Sequence, residues 1–279
     1  MTIEYQQAER IRASTSSQLM DGKRGLVVGV ANNKSIAWGI AEFLAEHGAD
    51  LAFTYQSRAL EKRVRPLAES VGASIVEPCD VESEKDIERV IATVASEWEN
   101  IDFLVHAVAY SDKDELKGHY LHTTRENFIR TMDVSCYSFT SFAAKAADVM
   151  PNGGSMLALT FAGSQRVVPN YNVMGVAKAA LEASVRYLAV DLGPKNIRVN
   201  AISAGPMRTL AGSAIAGARH ILRWNEKHSP MQKNVQLSDV GGAALYLASD
   251  LSKSVTGEIH HVDSGYNIVG IPAPLMLRE

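Results

Sequence analysis

From Gly25 onward, short apolar runs alternate with helix-length amphipathic segments, and no other feature of the 279-residue chain limits its fold as strongly. GLVVGV (25–30) is apolar on both alternating faces, the pattern of a strand covered on each side. SIAWGIAEFLAEHGA follows, with Ile36, Ile40, Phe43, Leu44 and His47 at helical spacing on one face. Ser35 stands where a helix is capped and Gly48 where one ends. Six more strand-like runs succeed it: DLAFTYQ, SIVEPCD, IDFLVHAVAY, GGSMLALT, NIRVNAISAGP and EIHHVDSGY. Helical patterns separate them, among them 58–71, 83–99 and about 124–150, and the segment NYNVMGVAK (170–178) reads as part of the helix after the fifth strand. Strands that alternate with helices of this length pair in parallel through right-handed crossovers. The expectation is one α/β domain, doubly wound, with a seven-stranded parallel sheet and helices on both faces.

Residues 1–20 are mostly polar and read as an N-terminal extension, 21–270 as the domain and 271–279 as a tail. The stretch 207–233 is longer than a crossover needs and contains Gly212 and Gly217. It follows the sixth strand, where folds of this kind place substrate-binding loops. Formal net charge is −3 with no strongly basic face, which argues against nucleic acid as a partner. The only cysteines, Cys79 and Cys136, sit in apolar runs and match neither a disulfide framework nor a metal site, which favours a reducing compartment. The first 20 residues lack the apolar stretch of a signal peptide, and no run is long and apolar enough to cross a bilayer. A cytoplasmic protein without a membrane or metal requirement is expected.

GVANNKSIAWG joins the first strand to the first helix. A small-residue turn before a helix N-terminus suits a pyrophosphate, because unpaired N–H groups and the helix dipole both face it. Gly29 permits a tight turn, Ala31 keeps the surface low and Gly39 allows close packing or close approach. The glycines do not follow G-x-G-x-x-G, so the turn alone reads equally as plain βα punctuation. Two strand ends add weight. Gln56 closes the second strand, where a dinucleotide's adenosine ribose lies, and Asp80 closes the third, near the adenine.

Tyr171 and Lys178 are seven positions apart. On a helix this is nearly two turns, which sets both on one face about 10 Å apart along the axis. A lysine near a phenol favours hydrogen-bond donation and anion stabilisation there. Spacing alone favours the plainer reading of a buried tyrosine and a snorkelling lysine.

GVANNKSIAWGIA, LAFTYQ, CDV, PNYNVMGVAKAALEASVRYLA, IRVNAISAGPMRTLA and HHVDSGY together resemble the bacterial enoyl-[acyl-carrier-protein] reductases, a divergent branch of the short-chain dehydrogenase/reductase superfamily. The resemblance covers almost all of 22–266 and implies a Rossmann-type fold. Ordinary members of the superfamily carry Tyr-x-x-x-Lys; here Gly175 is four after Tyr171, and the wider gap is the one these enoyl reductases use. The resemblance implies NADH as cofactor, an acyl carrier protein bearing the substrate as partner, and a homotetramer. It implies that Gly29, Ser35 and Ile36 meet the pyrophosphate, that Gln56 faces the ribose, and that Asp80 and Val81 flank the adenine. By the same resemblance Val108 packs near the cofactor, Lys178 holds the nicotinamide ribose, and Met207, Arg208, Thr209, Leu210 and Ala211 wrap the nicotinamide. Ser111 would lie near the acyl substrate, and Tyr171 would donate to its thioester carbonyl.

One departure falls at Phe161, where many bacterial members have a second tyrosine; the mycobacterial relatives look to share the phenylalanine, which can serve only as an apolar wall. Ala109 stands where the family commonly has glycine. Two rival readings are a reductase of another enoyl or carbonyl substrate on the same scaffold, and a non-catalytic dinucleotide sensor.

Overall fold

The computed structural model describes residues 18–213 and 216–271. Seven strands, β1 Arg24–Val28, β2 Asp50–Tyr55, β3 Ile75–Pro78, β4 Phe103–His106, β5 Gly154–Thr160, β6 Ile197–Ala204 and β7 Ile259–Val262, form one sheet in the order β3-β2-β1-β4-β5-β6-β7. Every neighbouring pair is parallel. The chain adds β2 and β3 on one side of β1, then returns to add β4 to β7 on the other. This reversal opens a crevice at the carboxyl ends of β1 and β4.

Period-two alternation divides the core between the sheet's two faces. Val27, Phe53, Val105 and Ile202 pack under α1 (Ile36–Glu46), α2 (Arg58–Ser70) and α9 (Leu237–Ala248). Leu26, Val28, Leu104 and Val199 pack under α3 (Glu84–Trp98), α5 (Ser138–Ala146) and α6 (Val173–Leu192). Phe53, Phe103, Phe139 and Phe142 are fully buried, each stabilising the fold by about 1.5–3 kcal/mol relative to exposure. The α1–α9 contact is close enough that a Cβ on Gly39 would stand 2.5 Å from Leu237 Cβ, so Gly39 serves packing rather than the turn.

Three segments differ from the sequence expectation. The helix expected over 124–150 is α4 (Arg125–Met132), a π-helical turn at Asp133–Tyr137, α5, and a 3-10 turn at Ala147–Val149. Ser138 Oγ donates to Val134 O at 2.7 Å, which bends this stretch. The fourth strand stops at His106 although the apolar run continues to Tyr110; the remainder is apolar because it walls a cavity. Met20, read as part of the extension, is fully buried, and its N–H donates to His47 O at 3.0 Å. Residues 1–17 of that extension and 272–279 of the expected tail lie outside the described residues. The 207–233 stretch holds α7 (Leu210–Ser213) and α8 (Ala218–His228). Cys79 and Cys136 are buried and free. Among the described residues no helix is long and apolar enough to span a membrane, and no His, Cys, Asp and Glu cluster could hold a metal.

Candidate active site

A cavity of about 660 Å³ opens at the carboxyl ends of the central strands. Val28 to Ala31 at the end of β1, Ala107 to Lys113 after β4, Leu159 to Phe161 at β5 and Ala204 to Met207 at β6 all line it.

At one end the wall is mainly backbone. Gly29 has φ 111°, and a Cβ there would stand 2.4 Å from Ala107 O, so the β1 turn touches the β4 turn. Ser35 occupies the N-cap position of α1 but does not cap it, contrary to expectation. Its hydroxyl instead accepts from the N–H groups of Ala31 at 3.0 Å and Asn32 at 3.1 Å, closing the turn on itself. The first turn of α1 therefore has no side-chain cap and no acidic residue. Ser35, Ile36 and Ala37 line the cavity there, so an anion can satisfy the exposed amides. Gln56 and Val81 also line the cavity, while Asp80 is held in its own turn, its carboxylate accepting from Glu82 N at 3.2 Å. Asp80 stands beside the wall rather than on it. β2 and β3 stop at Tyr55 and Pro78, so Gln56 and Asp80 stand just past the strands they were expected to close. A turn without a cap, a near-contact only glycine permits and polar Gln56 beyond β2 together fit the pyrophosphate and ribose of a dinucleotide.

At the other end the wall is buried side chains. Tyr171 is not on the helix: α6 begins at Val173, and Asn172 breaks the helical path with φ 43° and ψ −124°. Tyr171 and Lys178 therefore do not share one helix, contrary to the expectation. The conformation costs roughly 1–3 kcal/mol for a residue with a Cβ. Asn170, at φ 63°, makes the turn's other bend. The tyrosine ring is 7% exposed and packs with Leu116 and Met174. It meets Phe161 edge to face, centroids 5.0 Å apart, which gives Phe161 the expected role of a wall. A Cβ on Gly163 would stand 2.3 Å from the ring. Burial raises the phenol's pKa, reinforced by the Glu182 carboxylate, so Tyr171 stays protonated and is a donor.

Lys178 is 5% exposed, and its Nζ donates to Leu159 O at 2.7 Å. Burial brings its pKa down to about 8. Glu182, one helical turn on, is also buried and accepts from Thr160 Oγ1 at 2.8 Å and from Ser164 Oγ. It pins both ends of the turn that carries Phe161 and Gly163. The i, i+4 spacing from Lys178 was its only sequence signal.

Val108, Ser111, Met207, Thr209 and Leu210 line the cavity; Arg208 is exposed and not on the wall, and Ala211 belongs to α7. Sequence reasoning missed Leu116; Ala218, Ile221 and Leu222 of α8 also line the cavity, within the 207–233 stretch expected to hold substrate-binding elements but not singled out there.

The family model described as Enoyl-(Acyl carrier protein) reductase matches residues 29–267. The chain is 61% identical over 260 residues to enoyl-[acyl-carrier-protein] reductase [NADH] 2 of Rhizobium meliloti, covering 93% of this chain and 97% of that one. It is 52% identical over 255 residues to the corresponding NADH enzyme of Rickettsia typhi, covering 91% and 98%. Among solved structures, the Anaplasma phagocytophilum reductase in complex with NAD superposes with a TM-score of 0.88 at 54% identity, covering 92% of this chain and 96% of that one. The Bacillus cereus enzyme with NADP+ and an indole naphthyridinone gives 0.89 at 47%, covering 91% and 99%. With this agreement along nearly its whole length, the chain belongs to the enoyl-[acyl-carrier-protein] reductase family of the short-chain dehydrogenase/reductase superfamily.

Proposed function

We propose that this protein reduces trans-2-enoyl-[acyl-carrier-protein] to the saturated acyl form with NADH, the last step of a fatty acid elongation cycle. The observation that carries this reading is one cavity with an uncapped helix start and its glycine turn at one end and buried Tyr171 and Lys178 at the other. When bound, NADH supplies the hydride that reaches the substrate's β-carbon. Tyr171, kept protonated by burial, donates to the thioester carbonyl oxygen and stabilises the enolate charge that gathers on it, and a proton taken up at the α-carbon completes the reduction. Lys178 holds the nicotinamide ribose hydroxyls with its ammonium. Gly29, Ala31, Ser35 and Ile36 receive the pyrophosphate, Gln56 the adenosine ribose, and Asp80 and Val81 flank the adenine. Val108 packs beside the cofactor, and Met207 to Ala211 close over its nicotinamide. Phe161, Ser111 and Leu116 exclude water around the reacting carbons.

The substrate arrives on acyl carrier protein, and the working form is a cytoplasmic homotetramer. Apolar side chains left bare on the monomer support assembly: Tyr187 and Val190 on α6 are 76% and 75% exposed, and Tyr137 is 54% exposed. NADH is preferred to NADPH because Gln56 offers a 2′-phosphate no charge. Comparing kcat/KM for the two cofactors checks this, and a clear NADPH preference would mean that Arg58 reaches the phosphate. The function itself is tested by mixing the purified protein with NADH and a trans-2-enoyl-[acyl-carrier-protein] and following NADH absorbance. Turnover supports the reading; bound NADH without turnover overturns the substrate assignment.

A further inference from the structure

Tyr171 lies between two residues of positive φ, and the second has an additional peculiarity. Asn172 combines φ 43° with ψ −124°, a region that a residue with a Cβ enters only when its surroundings hold it there. Those surroundings can be named. Asn172 Nδ2 donates to the Glu115 carbonyl at 3.0 Å, across the cavity wall. Glu115 is itself anchored: its carboxylate accepts from Thr124 N at 3.0 Å, Thr124 Oγ1 at 2.6 Å and Asn127 Nδ2 at 3.0 Å. Asn127 is 5% exposed; its Oδ1 accepts from Thr131 Oγ1 at 3.3 Å on its own helix, and its amide also bonds the same loop. It accepts from Asp112 N at 2.8 Å and donates to Ser111 Oγ at 3.1 Å. Ser111, Asp112 and Leu116 of this loop line the cavity, and Leu116 packs with Tyr171.

We propose that Asn172 is a positioning residue for Tyr171, tying the tyrosine's turn to the 111–116 loop, which Asn127 holds in place. The backbone outlier alone would aim the phenol; the amide makes that aim depend on the loop. Because this loop walls the part of the cavity assigned to the acyl substrate, the tie links the seating of substrate to the placement of the donor. In this respect the inference rests on the proposed reduction.

Glycine separates the two contributions, since Asn172→Gly keeps access to positive φ and removes only the amide. The variant is expected to melt close to the wild type and to bind NADH with unchanged affinity. Its kcat on the enoyl substrate is expected to fall roughly tenfold to a hundredfold, the scale of a misplaced catalytic group. Amide hydrogen exchange over 168–175, read by mass spectrometry, is expected to quicken. Wild-type kcat together with wild-type exchange in Asn172→Gly would overturn the proposal. Asn127→Ala tests the far end of the chain of bonds: combined with Asn172→Gly it is expected to lose no more than the worse single variant, because both cut one connection. Losses that multiply independently would overturn the link through Asn127. If the wild-type protein fails to reduce enoyl thioesters, the functional reading falls, while hydrogen exchange still decides whether Asn172 ties the turn.

Discussion

The two ends of the cavity are built from different materials. Around Gly29 and α1 the protein presents main chain: a turn closed by the Ser35 hydroxyl, and helix amides with no side-chain cap. Around Tyr171 it presents side chains that water scarcely reaches, mounted on a turn with two positive φ angles. Backbone amides recognise charge and shape in almost any sequence that permits the turn. A buried phenol and ammonium depend on their neighbours for protonation state and direction. The first end suits affinity, and the second suits chemistry.

Substitutions can break this division, and the largest effect is expected at Tyr171. Tyr171→Phe should lower kcat roughly tenfold to a thousandfold, the range for losing an oxyanion donor, with NADH affinity intact. Full activity in steady-state assays would remove the phenol from the reaction. Lys178→Met should separate function from stability. Among the described residues no carboxylate lies within ion-pair distance of Lys178, and its pKa has dropped from 10.5 to about 8. Removing that buried charge should stabilise the fold near neutral pH, less what the Leu159 carbonyl loses with its donor, while NADH binding weakens. Thermal melts and calorimetry read both, and a less stable variant would show that the ammonium is well solvated in place.

Gly29→Ala probes the main-chain end. Its Cβ meets Ala107 O, and φ 111° does not suit alanine, so stability or NADH affinity should drop by on the order of 1–3 kcal/mol. An unchanged melt and an unchanged Kd would mean that the two turns need not touch. The smallest effect is titration. Below about pH 8 Lys178 is protonated, and above it the charge is lost, so NADH affinity should decline as pH rises through 8. A flat profile from pH 7 to 9.5 would place the ammonium's titration elsewhere.

The sheet was legible because both faces of β1, β2, β4, β5 and β6 are largely buried, and a strand buried on two sides leaves an unbroken apolar run. The same reasoning overran at β4, where Ala107 to Tyr110 are apolar for a different cause: they wall the cavity. It also missed the π-helical turn, since Asp133–Tyr137 keeps helical patterning while Ser138 bonds back to Val134 O. Gln56 and Gly29 could be found from strand ends alone. Asn127, Glu115 and Glu182 could not, because each bonds a residue 12 or more positions away in the chain.

By itself the sequence determined the parallel sheet and the place of the turn between β1 and α1, while the branch of the superfamily came from its resemblance to known reductases, in which the Tyr171–Lys178 gap is one matching feature. The sheet and the turn follow from local periodicity, which the chain carries wherever it folds. Only the tertiary structure decided that Tyr171 precedes its helix instead of riding on it, that Ser35 closes a turn rather than capping α1, and that Lys178 is buried without an ion-pair partner. Each of those outcomes depends on what lies opposite: a positive φ is affordable at Asn172 because the Glu115 carbonyl waits for its amide, and no local pattern records what stands across a cavity.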